Sequence, residues 1–151
     1  MNPLPVKIPV KKLKRYHLDK KKKSTVIGEI SKVLDGRKEI LFAYIYGSFL
    51  EEGYFRDIDI AVYVGDSKGK TYFVYEENLE KDLKKCLSIN APVDVRVINR
   101  SPISFKYHVL KGRLIVDHNE EKRVDFTVHT VSRYLDLESV LSYYQKEAFI
   151  R

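Results

Sequence analysis

Tyr46-Gly47-Ser48-Phe49-Leu50 and, after a short polar stretch, Arg56-Asp57-Ile58-Asp59-Ile60-Ala61-Val62 decide how this chain reads. An apolar run enters Gly-Ser, turns, and returns as a second apolar run that opens with two carboxylates. Side chains at i and i+2 of a strand point the same way, so Asp57 and Asp59 share one face while Ile58 and Ile60 take the other. A later strand-like run, Pro92-Val93-Asp94-Val95-Arg96-Val97, puts Val93, Val95 and Val97 on one face and Asp94 and Arg96 on the opposite one. If these strands are neighbours, Asp57, Asp59 and Asp94 converge. Such a cluster repels itself without cations, which predicts a metal site, and two adjacent acids with a remote one suit a pair of Mg²⁺ ions clamping a nucleoside triphosphate. Gly47 lets the backbone approach a phosphate, and Ser48 opens a short helix whose N–H groups and hydroxyl face phosphate oxygens.

The block from Tyr46 to Val62 resembles the signature of the DNA polymerase β superfamily of nucleotidyltransferases, and within it the small MNT-type minimal nucleotidyltransferases. The likeness runs in order of elements over about residues 24–136. It implies an α/β (α+β) fold with a short mixed sheet flanked by helices, Mg²⁺-dependent use of ATP, and Asp57, Asp59 and Asp94 as metal ligands. It also implies a protein partner, since many such proteins are antitoxins that silence an all-helical HEPN toxin by adenylylating a tyrosine. The chain departs from the pattern after Gly47-Ser48, where family members often carry a basic residue and this sequence has Glu51-Glu52-Gly53. Arg56, Lys68 and Lys70 are the candidate sources of the missing charge; alternatively these lysines only solvate a loop.

A chain of 151 residues that is 44% apolar suffices for one core and is short for two domains. A second domain to present an acceptor is therefore not expected, and the acceptor would arrive on a partner. One cysteine excludes an internal disulfide and a cysteine zinc site; Cys86 falls on an apolar stripe with Leu79 and Leu83 and reads as a packed thiol. No apolar run approaches membrane-spanning length, and the N-terminus lacks the apolar stretch of a secretion signal, so a cytoplasmic protein without membrane contact is expected.

Net basicity is concentrated in residues 1–23, which hold nine Lys or Arg and one Asp, a balance of +8 against +7 for the whole chain. Pro3, Pro5 and Pro9 prevent a regular helix there. Residues 1–23 therefore read as an extended basic arm and residues 24–151 as the nucleotidyltransferase domain with C-terminal helices. Protein docking or simple solubilisation suits the arm better than nucleic-acid binding, because only Tyr16 and His17 are available for stacking.

The scaffold follows from periodicity. A helix capped by Ser24 carries Val26, Ile30 and Leu34, and strands are expected at 39–46, 57–64 and 92–97. A helix spans 75–88, a short one ends near Leu110, and a strand covers 113–116. A helix over 120–135 places Val124, Val128, Val131 and Leu135 on one core-facing side, with a further helical segment from Leu137. Tyr143, Tyr144 and Phe149 there read as core or rim packing, with a partner-facing surface as the alternative. The four histidines form no metal spacing, and Arg123 with His129, an Arg-x5-His pattern resembling the HEPN ribonuclease motif, reads as coincidence.

The functional expectation is transfer of a nucleoside monophosphate, AMP from ATP, to a partner hydroxyl, with Gly47, Ser48 and Arg56 holding the nucleotide. The alternative is a binding module that has lost catalysis and neutralises a toxin by contact or binds nucleic acid through the arm.

Overall fold

The computed structural model describes residues 14–65 and 71–149. Most of the basic arm, Lys68 and Lys70 lie outside the described residues. The elements, in chain order, are α1 (Lys20–Asp35), β1 (Ile40–Tyr46), a 3₁₀ turn (Ser48–Leu50), β2 (Ile58–Val64), α2 (Tyr72–Cys86), β3 (Val93–Val97), α3 (Ile103–Leu110), β4 (Arg113–Asp117) and α4 (Glu120–Phe149). The strands form one four-stranded sheet in the order β3-β2-β1-β4. β1 is antiparallel to β2 and β4, whereas β2 and β3 run parallel, so the sheet is mixed as expected.

Alternation along the strands sends apolar side chains to both faces, because helices cover both. Ile58, Ile60, Val62, Val93 and Val95 join Val26, Ile30, Leu34, Leu79 and Leu83 in a core beneath α1 and α2. Phe42, Tyr44, Tyr46 and Ala61 pack with Ile98, Val109 and Phe126 beneath α3 and α4. The outer edge of β3 would expose unpaired backbone donors. Glu76 and Glu80, one helical turn apart on α2, accept from the Val97 and Val95 amides at 3.2 and 2.9 Å and close that edge.

Several expectations shift. α1 begins at Lys20, not Ser24, because the Asp19 carboxylate accepts from the Lys22 amide at 2.8 Å and the lysine run is itself helix-compatible. The boundary expected after residue 23 thus falls inside a helix, and Tyr16 is already tied to the body through mutual backbone hydrogen bonds with Phe55 of 2.8 and 2.9 Å. Cys86, the last residue of α2, is exposed rather than packed; Leu79 and Leu83 alone carry the buried stripe. The segment over 120–135 and the one expected from Leu137 are one helix, Glu120–Phe149, since Asp136 alone does not break it, and residues 150–151 lie outside the described residues. On α4 the side facing the sheet is that of Phe126 and Thr130, not that of Val124, Val128 and Leu135, which are exposed. Phe126 wins that face because it fills the space against Phe42 and Tyr63, with ring centroids 5.2 and 5.6 Å away. Tyr143 and Tyr144 are also exposed, at 61% and 66%, because the distal part of α4 extends past the sheet.

His118 fastens the turn between β4 and α4. Its two ring nitrogens meet the Ile40 carbonyl at 2.7 Å and the Asp35 carboxylate at 2.8 Å. Both partners only accept, so both are served only by the doubly protonated ring, and these hydrogen bonds, with that to Asp35 foremost, raise the His118 pKa. A folded-state pKa above the unfolded one gives stability that is complete below the ordinary value of 6.5 and lost as pH rises through the raised value. Wild type is expected to exceed His118→Gln in thermal midpoint at pH 6 by more than at pH 9, and a pH-independent difference would refute this.

Candidate active site

β1 ends at Tyr46, and the chain turns sharply at Gly47, with φ 83° and ψ −159°. That backbone region is open essentially to glycine alone. A Cβ at Gly47 would lie 2.6 Å from the Asp59 Oδ2, so the turn is pressed against the carboxylate. Register explains the contact, because Tyr46 is the β-partner of Asp59. On the other side of β2, Asp59 is the β-partner of Asp94. Gly47, Asp59 and Asp94 thus stand in a row across three strands. Asp57 lies one residue before β2, near enough for its charge to act on Asp59.

Electrostatics record the crowding. The Asp59 carboxyl is pushed up to about 6, first by burial and then by the charges of Asp57 and Asp94, with Arg96 acting in opposition. Burial and the same acids drive the Tyr46 phenol upward, so it stays neutral. Arg96 shares a face with Asp94 and places Nε 3.5 Å from its Oδ2. Its charge only partly offsets that of the acids, which leaves a net negative site.

Among the described residues, no group of three or more acidic, histidine or cysteine side chains is gathered closely enough to hold a metal ion by itself. This does not conflict with Mg²⁺, which usually keeps waters and binds through one or two carboxylates plus substrate phosphates. The donor set, hard oxygen ligands under mutual repulsion, fits such a cation.

The short helix opened by Ser48 is a single 3₁₀ turn, and Phe49 anchors that turn in the core. Ser48 and Arg56 line one hollow of about 250 Å³ together with Arg15 and Tyr54. Arg56 was legible from its place before Asp57. Arg15 was not: it enters only because Tyr16 pairs with Phe55, and the one sequence signal was an aromatic residue inside a lysine-rich run. Glu51 and Glu52 line a second hollow with Lys20 and Lys23, where the Lys23 ammonium donates to the Glu51 backbone carbonyl at 2.7 Å. Arg123 is held by Asp117 at 2.7 Å, and His129 is exposed.

The chain belongs to the polymerase β nucleotidyltransferase family: the family model described as Polymerase beta, Nucleotidyltransferase, matches residues 28–121, more than half of its length. No curated protein matches it. The fold is similar to solved toxin–antitoxin structures. A chain of the MntA–HepT complex is 20% identical with a TM-score of 0.59, covering 83% of this chain and 98% of that one. A chain from a tri-AMPylated Shewanella oneidensis HEPN toxin in complex with its MNT antitoxin is 19% identical with a TM-score of 0.61, covering 84% and 98%. A chain from a toxin–antitoxin structure with AMP-PNP is 20% identical with a TM-score of 0.61, covering 82% and 98%. Among the described residues no helix is long and apolar enough to cross a membrane.

Two substitutions test this geometry. Gly47→Ala forces a side chain into the glycine-only region and against Asp59, and is expected to cost roughly 1–3 kcal/mol in urea denaturation; an unchanged midpoint would contradict the close approach. Asp59→Asn removes a carboxyl whose pKa is raised in the fold. Ionising that carboxyl costs stability as pH climbs from the ordinary 3.8 to about 6, and the cost is complete above that range. In chelator, Asp59→Asn should therefore melt above wild type at pH 8, with the gap closing toward pH 4; a gap constant with pH would argue against the buried, crowded carboxylate.

Proposed function

We propose that this protein transfers a nucleoside monophosphate, AMP from ATP, to a hydroxyl of a protein partner of the HEPN toxin type, acting as the antitoxin of a pair in the cytoplasm. The observation that carries the reading is the alignment of Gly47, Asp59 and Asp94 across β1, β2 and β3. Its support from outside the chain is membership of the nucleotidyltransferase family and likeness in fold to an MNT antitoxin complex whose toxin is tri-AMPylated.

In this reading Asp57 and Asp59 would hold two Mg²⁺ ions and Asp94 one of them, and the bound metal would supply neutralisation of phosphate charge and a lowered pKa for the acceptor hydroxyl. Asp94 takes part in removing the acceptor proton, and the freed oxygen attacks the α-phosphorus. The bond from that phosphorus to the bridging oxygen breaks, and pyrophosphate leaves from the Gly47-Ser48 turn.

The exposed apolar residues of α4, among them Val128, Val140, Leu141, Tyr143 and Tyr144, supply surface for a macromolecular partner. They also favour the second reading, neutralisation by contact without transfer. Intact-mass analysis separates the two. A helical partner protein incubated with this protein, Mg²⁺ and ATP is expected to gain AMP units with wild type and none with the Asp57→Ala/Asp59→Ala variant. A stable complex with no mass gain would establish the contact reading instead.

A further inference from the structure

Arg15 and Arg56 occupy opposed positions beside the bridge between Tyr16 and Phe55. That bridge is antiparallel, so the residue before Tyr16 faces the residue after Phe55. The rings of His17 and Tyr54, 5.3 Å apart, mark the same register on its other side. Like charges directly opposite each other destabilise a strand pair. Yet both arginines are exposed, line one hollow with Ser48, and form no ion pair among the described residues. Tyr16 holds the arrangement in place, its ring stacked on Phe55 at 5.8 Å, and Phe55 is itself buried.

We propose that Arg15 and Arg56 form a polyphosphate subsite with Ser48, so that the N-terminal segment supplies the cation missing after Gly47-Ser48. This deepens the nucleotidyltransferase reading and rests on it for the identity of the natural ligand. The hollow is tied to the acids along the chain, since Arg56 precedes Asp57 and Ser48 follows the glycine pressed against Asp59. Two arginines that line one hollow can take an anion between them, and each guanidinium presents paired N–H donors to phosphate oxygens. Glu51 and Glu52 do not oppose this, since they line the other hollow beside Lys20 and Lys23. The terminal phosphates of the nucleotide, and then the departing pyrophosphate, are the ligands of this subsite.

The test is equilibrium binding to the full chain of three probes, ATP, AMP and inorganic tripolyphosphate, with wild type, Arg15→Gln and Arg15→Lys. Arg15 is exposed, so its replacement leaves the packed body intact. Arg15→Gln is expected to weaken ATP and tripolyphosphate about tenfold and AMP little, with Arg15→Lys falling between, as loss of a charge-assisted phosphate contact entails. Tripolyphosphate binding that depends on Arg15 supports the subsite even if no AMP transfer is found. Equal tripolyphosphate and ATP affinities for wild type and Arg15→Gln, or no binding of either probe to wild type, would overturn it even where transfer is active.

Discussion

The register of β2 against its two neighbours is the constraint on which the rest of this molecule depends. Ile58, Ile60 and Val62 are fully buried on the α1 and α2 side, so a slip of one residue would turn three apolar side chains out of the core. The same lock sets Asp59 beside Tyr46 on one side and Asp94 on the other. Packing energy spent on the hydrophobic face thus positions the polar one. An acidic cluster that would otherwise fly apart is held by side chains it never touches.

The cost of this arrangement is visible in the site. Asp59 is pushed up to about 6 by burial and by its acidic neighbours, and Arg96 only partly relieves the repulsion. Stability is given up locally where the acids are crowded together, which is how a polar cluster on a rigid sheet differs from one on a solvated loop. Gly47 belongs to the same compromise, since only a residue without a side chain permits the turn to lie against the Asp59 carboxylate.

The N-terminal segment changes meaning once the fold is known. Read as a charge run, it is a tail. In the structure, the bridge of Tyr16 to Phe55 carries Arg15 to the edge of the site, while Lys23 reaches the Glu51 carbonyl. Glu51 and Glu52 line a hollow with residues of α1, whereas arginines from two separate parts of the chain line another with Ser48.

The sequence by itself determined the strands, their inward faces and the acids they carry, because two-residue alternation and the Gly-Ser turn are local properties. On those grounds Gly47, Ser48, Asp57, Asp59 and Asp94 were singled out as candidates, and Arg56 was added as a source of charge from its place before Asp57. It misjudged α4, where Val124, Val128, Val131 and Leu135 and a second stripe through Phe126 and Thr130 both have helical spacing; only contact with Phe42 and Tyr63 decides which one faces the sheet. It likewise placed Cys86 in the core and began α1 late, since burial at a helix end and the choice between two capping residues depend on what lies nearby. Arg15 belonged to the tertiary structure alone. Its place is set by backbone pairing between residues distant in the chain, and no local periodicity encodes such pairing.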